Sequence, residues 1–244
     1  MTSSFTRVED KGEVALIAAG FEDVISPASF DPDHWREQAQ PVAAGGRGSA
    51  WYIRRTEGDW VLRHYRRGGL AAKVSRDRFR FSGEARVRSF AELRLLDYLK
   101  RQALPVPAPV AAWYASAGPG LYRARILIER IVDAQTLLER AHAASDDLLS
   151  EAGRVIGRFH GAGLDHVDLN INNILLAPSG VYLVDFDKCA VREAGRKGLN
   201  WQQNNLARLR RSVDKELSQW PVSTREDFWG SIKRGYEAQM SALG

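Results

Sequence analysis

The chain has 244 residues, 44% hydrophobic and 27% charged, with a formal net charge of +5. That is the composition of an ordinary globular protein, long enough for one large domain or two lobes. The lone Cys189 excludes an intramolecular disulfide, no apolar run approaches a membrane span, and the first residues lack a signal-peptide core, so a cytoplasmic protein is expected.

In chain order, Val14 to Ile17 reads as a strand. Asp31-Pro32 reads as a helix start, with Asp31 as N-cap and Pro32 in the first turn. Between Val42 and Ile53 an apolar run enters a glycine-bearing turn, and a β-prone run leaves it. Gly46 and Gly48 there would let backbone N–H groups approach a phosphate closely, although an ordinary hairpin turn has the same look. Trp60 to Arg63 follows the turn Glu57-Gly58-Asp59, and period two places Val61 and Arg63 on one face, Trp60 and Leu62 on the other. Arg63 can grip phosphate bidentately; a register slip of one residue would put His64 in its place.

Gly68 to Gly83 reads as a polar, basic loop. Arg86 to Leu99 then has helical apolar spacing at Phe90, Leu93 and Leu96 and, less strictly, at Leu95 and Leu99. Glu92 on this helix is the expected partner of Arg63, with Glu84 as fallback; pairing of Glu92 with Arg88 or Lys100 on its own helix is the plainer alternative. The prolines at 105, 107 and 109 end the helix. Two strands are expected near Val110–Tyr114 and Arg123–Glu129, and from Ala134 the pattern turns helical. Ser145-Asp146-Asp147 is a cap signal, and Leu148, Ala152, Val155, Ile156 and Phe159 form an apolar stripe.

The chemistry concentrates in His166-Val167-Asp168-Leu169-Asn170-Ile171-Asn172-Asn173, followed by Asp185-Phe186-Asp187. A phosphoryl-transfer site needs one carboxylate near the acceptor hydroxyl and oxygen ligands that hold Mg²⁺ against nucleotide phosphates. The first stretch matches the protein-kinase catalytic loop H-R-D-L-x-x-x-N, with Val167 for Arg. The second matches D-F-G, with Asp187 for Gly. Between them, two apolar runs flank Ala177-Pro178-Ser179-Gly180, a predicted hairpin that would return Asp185 to the end where Asn173 lies. An H-x-D alone is weak; the Asn five residues on, the hairpin and Asp-Phe-Asp together carry the reading. Asp168 is the expected catalytic carboxylate, Asn173 and Asp185 the expected metal ligands, and His166 an organiser of the loop. Asp187 either adds negative charge near the metal or alters the local conformation. In this frame Gly46 and Gly48 partly match G-x-G-x-x-G, Arg63 stands where V-A-I-K has Lys, and backbone groups of Glu129 to Ile131 would hydrogen-bond an adenine edge. Nothing matches A-P-E, so no activation-loop phosphorylation is expected. The expected fold is α+β and bilobal, protein-kinase-like. Residues 1–130 would form an antiparallel sheet lobe with one main helix. Residues 131–244 would form a mostly helical lobe with the catalytic loop, the metal-binding segment and the acceptor side.

Arg63-His64-Tyr65-Arg66-Arg67-Gly68-Gly69, Gly163 to Asn170, Asp185 to Cys189 and Trp201-Gln202-Gln203-Asn204-Asn205-Leu206 together resemble the 3-deoxy-D-manno-octulosonic acid (Kdo) kinases of the lipopolysaccharide-core kinase group. The resemblance spans roughly residues 45 to 215. It implies ATP- and Mg²⁺-dependent phosphorylation of the 4-hydroxyl of Kdo on a lipid A precursor, at the cytoplasmic face of an inner membrane. The arginine clusters (63, 66, 67; 76, 78, 80; 86, 88; 208, 210, 211) would then meet an anionic glycolipid or membrane surface, a solvated face being the plainer alternative. No nucleic-acid motif is present, and no protein partner is implied. The competing readings are a core heptose kinase or another small-molecule kinase of the same fold and, more remotely, a nucleotide-binding pseudokinase.

Overall fold

Short strands rich in β-branched and aromatic residues fill the first half of the chain. The computed structural model describes residues 5–42, 49–67, 77–192 and 200–243. Two units separate: Met1–Asp97 with Pro107–Arg130, and Tyr98–Val106 with Ile131–Gly244. The segment 98–106, which a single cut at residue 130 leaves with the first unit, groups with the second.

The first unit is an antiparallel sheet. Its strands are β1 (Phe5–Asp10), β2 (Glu13–Ala18), β3 (Ala39–Pro41), β4 (Ala50–Ile53), β5 (Trp60–His64), β6 (Phe79–Arg80), β7 (Pro109–Ser116) and β8 (Leu121–Glu129). Their order is β1-β2-β7-β8-β5-β4-β3, with β6 also paired to β8. The β1–β2 hairpin turns through Lys11 and Gly12, both at positive φ (47° and 83°), the pairing a two-residue hairpin turn favours. β1 and β6 are strands the sequence pattern did not mark. In β5 the expected alternation holds: Trp60 and Leu62 are buried, Val61 and Arg63 half-buried.

One core cluster contains Ile17, Phe30, Trp35, Trp60, Leu62, Trp113 and Leu127. The Asp31-Pro32 signal does start a helix, the 3₁₀ segment Pro32–Gln38: Asp31 caps it by accepting from the Asp33 N–H at 3.0 Å, and Arg36 leaves helical geometry at φ 48°. This segment brings in Trp35, whose indole N–H donates to the Ser29 carbonyl at 2.7 Å. Helix α1 (Arg88–Arg101) buries Phe90, Leu93, Leu96 and Leu99, the stripe read from the sequence, with Leu95 half-buried at its edge.

In the second unit, β9 (Gln135–Thr136), β11 (Ile174–Ala177) and β12 (Gly180–Leu183) form a sheet in the order β12-β11-β9. β10 (Leu164–Asp165) pairs with β13 (Ala190–Val191). Helices α2 (Asp146–Gly161), α3 (Trp201–Glu216) and α4 (Val222–Leu243) complete it. The helical pattern expected from Ala134 begins later, because β9 pairs with β11 first. Ser145 then caps α2, its hydroxyl accepting the Leu148 N–H at 3.3 Å. Helices α2 and α4 meet through glycines: a Cβ on Gly153 would lie 1.9 Å from the Ile232 carbonyl oxygen, and one on Gly235 1.8 Å from that of Ser150.

Candidate active site

Candidate residues fall into two groups, one in each unit. In the first, β5 carries Arg63 and Tyr65 follows it on the same face. The Arg63 guanidinium donates to both carboxylate oxygens of Glu92, at 3.0 and 2.8 Å, and the Tyr65 hydroxyl donates to Glu92 Oε2. The Glu92 side chain is 1% exposed and Arg63 22%, so the carboxylate sits in low dielectric and fixes a guanidinium that keeps one side toward solvent. Tyr65 went unassigned in the sequence, although period two from Arg63 points to it.

The two fallback residues are occupied elsewhere. His64 faces the other way, with Nε2 3.2 Å from the Phe30 carbonyl and its ring 4.6 Å from that of Trp51. Burial and the nearby Arg125 guanidinium push its pKa down to about 4. Glu84 takes the Arg7 guanidinium at 3.0 Å, which holds its carboxyl below the usual range. Gly46 and Gly48 lie outside the described residues.

At the end of β8 the Glu129 N–H donates to the Ala108 carbonyl at 2.9 Å and the Arg130 N–H to that of Asp59 at 2.8 Å. Of the three backbone donors expected to meet a base edge, the Ile131 N–H is therefore the one not committed among the described residues.

In the second unit, the hairpin β11–β12 pairs Ile174 with Leu183 and Ala177 with Gly180. The Val184 N–H donates to the Asn173 carbonyl at 3.1 Å. The strand pair thus ties the residue before Asp185 to Asn173, as the hairpin reading requires. Asp185 has φ 65°, a left-handed conformation that Asp tolerates better than most side chains and that costs about 1–2 kcal/mol. Asp187, where protein kinases have Gly, is not among the positive-φ residues. Its backbone needs no glycine, which explains how a side chain is accommodated.

Asp168 is exposed, at the tip of a turn closed by the Leu169 N–H on the His166 carbonyl at 3.1 Å. Its carbonyl oxygen accepts two side-chain amides, Asn170 Nδ2 and Asn173 Nδ2, each at 2.9 Å. That engages the Asn173 amide nitrogen, so a ligand of this side chain would meet its oxygen. Among the described residues no three His, Cys, Asp or Glu gather into a metal site. An amide oxygen plus the Asp185 carboxylate is the kind of sparse, all-oxygen set that suits Mg²⁺, which takes its other ligands from phosphates and water.

His166 is 1% exposed. Its Nε2 lies 3.1 Å from the Val184 carbonyl, and a carbonyl only accepts, so Nε2 carries the proton. Burial lowers the imidazole pKa, which keeps the ring neutral. His166 thereby links the Asp168 turn to the strand leading into Asp185, and its ring packs 5.3 Å from the buried Phe186. Beneath it lies a buried network that the sequence pattern did not single out. Asn205 on α3 accepts the His166 backbone N–H at 2.8 Å and donates to Asp165 Oδ1 at 2.9 Å. Asp165 Oδ2 in turn accepts from Arg192 at 3.0 and 2.7 Å. The one local signal was a run of amides, Gln202 to Asn205, on an otherwise amphipathic helix.

The fold is that of the kinase-like phosphotransferases, and solved structures share it. "WaaP in complex with acyl carrier protein" superposes with a TM-score of 0.53 at 15% identity, over 94% of this chain and 98% of that one. A glucosamine kinase bound to glucosamine, ADP and phosphate gives 0.53 at 13% identity, over 96% and 68%. Residues 32–236 match the model of the lipopolysaccharide kinase (Kdo/WaaP) family, and the chain belongs to that family. It is 46% identical over 210 residues to the 3-deoxy-D-manno-octulosonic acid kinase of Stenotrophomonas maltophilia (strain K279a), covering 85% of this chain and 83% of the relative. It is 44% identical over 217 residues to the protein of that name from Xanthomonas campestris pv. campestris (strain B100), covering 88% and 84%.

Proposed function

We propose that the chain moves the γ-phosphoryl group of ATP to the 4-hydroxyl of a Kdo sugar on a lipid A precursor. The observation that carries the chemistry is the Asp168 turn, whose carbonyl is held by the Asn170 and Asn173 amides. Kdo as acceptor is supported by the name borne by relatives 44–46% identical over most of the chain.

The acceptor oxygen attacks the γ-phosphorus, the bond from that phosphorus to the β,γ-bridging oxygen breaks, and ADP departs. Asp168 orients the hydroxyl and takes its proton. Asn173 Oδ1 and Asp185 hold Mg²⁺, which when bound offsets the negative charge of the phosphates. Arg63, fixed by Glu92 and Tyr65, meets the α/β-phosphates. The backbone at Glu129 and Ile131 receives the adenine. The first unit then serves as nucleotide lobe and the second as catalytic and acceptor lobe.

No helix among the described residues is long and apolar enough to cross a membrane. An anionic glycolipid is then met from the surface, at the cytoplasmic face of the inner membrane. Exposed arginines such as Arg80, Arg86 and Arg211 suit that contact. Arg210 does not, being engaged by Asp214 and Glu226 at 2.9 and 2.5 Å.

The test is incubation with Mg-ATP and a Kdo-bearing lipid A precursor, beside Asp168→Ala, read by mass spectrometry. One added phosphate that the variant fails to add supports the reading. ATP binding without transfer moves the acceptor elsewhere, to heptose-bearing core first.

A further inference from the structure

Helix α3 contributes no residue to the proposed chemistry, yet it touches both ends of the loop that presents Asp168. At the near end, Asn205 Oδ1 accepts the His166 N–H at 2.8 Å. At the far end, the Ser212 hydroxyl accepts the Ile171 N–H at 2.9 Å and donates to the Leu209 carbonyl, also at 2.9 Å. Asn205 and Ser212 are seven residues apart in sequence, close to two helical turns, so they project from one face of α3. Between them that face buries Leu209 at 0% exposure. The loop's internal bonds, from Leu169 N–H and from the Asn170 and Asn173 amides, all end within residues 166–173. They set its shape; outside the loop, the His166 ring and the Asn173 carbonyl meet Val184 on one side, and α3 holds the His166 and Ile171 N–H groups on the other.

We infer that α3 is a two-point clamp that sets the place of Asp168, with Asn205 and Ser212 as positioning residues for phosphoryl transfer. The chemistry at each point is restrictive. A backbone N–H only donates and a carboxylate only accepts. Asn205 lies between one of each, 1% exposed, and an amide satisfies both at once. A carboxylate at 205 would face Asp165 with like charge. An aliphatic side chain would orphan a buried N–H and a buried carboxylate oxygen. Through Asp165, which holds Arg192 at 2.7 Å, the same amide also reaches the segment that follows Asp185-Phe186-Asp187. One side chain therefore registers the two active-site segments of this unit against each other.

The inference rests on Asp168 as the catalytic carboxylate, so Asp168→Ala is assayed alongside. Turnover surviving in Asp168→Ala would remove the reading of the site itself. With Asp168→Ala inactive, Asn205→Leu and Ser212→Ala test the clamp. Each is expected to lower kcat by about 10- to 100-fold, the loss a misplacement of roughly an ångström brings. For Ser212→Ala the KM for ATP should stay within about twofold, because outside its own helix that hydroxyl reaches the Asp168 loop alone. Asn204→Ala, on the exposed side of the same helix, should turn over normally. If Asn205→Leu fails to fold, the exchange Asn205→Asp with Asp165→Asn decides. It restores a donor–acceptor bond between the two positions and leaves an acceptor for the His166 N–H and one for Arg192. It should recover most of the kcat lost by Asn205→Asp alone. Wild-type kcat per folded molecule in either single variant, or no recovery in a folded double exchange, would overturn the clamp.

Discussion

Arg63 is held by a residue of a different element: one guanidinium nitrogen donates to both carboxylate oxygens of Glu92, at 3.0 and 2.8 Å. The carboxylate is buried and the guanidinium partly solvated (1% and 22% exposed), so the pair is anchored on one side and open to solvent on the other. Arg63→Ala should cost about 2 kcal/mol of stability, below the value for a fully buried pair because the cation is partly screened, and raise the KM for ATP. Replacing both, as Arg63→Leu with Glu92→Leu, should recover the melting temperature without recovering nucleotide affinity. Recovery of both together would show that Arg63 has no ligand role.

Asp168→Asn should reduce turnover by about 10²–10⁴-fold, the usual loss for a general base. Isothermal titration should find ATP binding unchanged, since the loop's backbone bonds do not use the carboxylate. A variant that keeps more than about a tenth of the rate would point to another group as proton acceptor.

Asn173→Ala should raise the Mg²⁺ concentration needed for half-maximal rate and also lower the rate at saturating metal. The side chain gives its nitrogen to the Asp168 carbonyl and, on the proposed reading, its oxygen to the metal, so the substitution removes both. Asp185→Asn should shift the metal dependence more strongly, having lost a charge, and chelation of Mg²⁺ should abolish turnover in the wild type. Metal-independent turnover would contradict both assignments.

The sequence showed the residues of these groups unevenly, for a physical reason. Arg63 and Glu92 lie in a strand and a helix whose apolar periodicity fixes which side chains share a face, so their meeting could be anticipated. The hairpin linking Asn173 to Asp185 was legible because its turn chemistry is local. Asn205 and Asp165 were not, because a buried amide between a backbone donor and a carboxylate leaves no periodic trace; only tertiary packing selects it. The helix start at Asp31-Pro32 was legible because its capping chemistry is local, but the same signal serves α- and 3₁₀-helices and so did not tell which would form.

Acid should destabilise the protein. His64 and His160 are pushed down to about 4 by burial, and His166 is lowered too, whereas an unfolded histidine titrates near 6.5. Between these values the unfolded chain binds protons that the folded chain refuses, so stability falls as pH drops from about 6.5 to about 4, by ~3 kcal/mol for each of the first two. Melting curves across that range should show the loss. His64→Gln, which keeps a donor for the Phe30 carbonyl, should flatten it. An equally steep profile in that variant would remove His64 as a contributor.

Arg80→Glu with Arg86→Glu should raise the acceptor KM and weaken binding to vesicles containing anionic lipid, while leaving the KM for ATP alone. Added salt should mimic the variant on wild type. An unchanged acceptor KM would mark these arginines as ordinary solvated surface.

The glycines between α2 and α4 bear on any survey of tolerated substitutions. At 153 and 235 a single methyl group would overlap a carbonyl of the opposite helix, so even alanine is excluded at positions with no part in the reaction. Such a survey would score them as intolerant as Asp168. What separates the two kinds of position is where the loss falls: on the yield of folded protein for the glycines, on turnover per molecule for the aspartate. Intolerance alone would therefore draw the active site too large, extending it along a helix seam whose only demand is closeness.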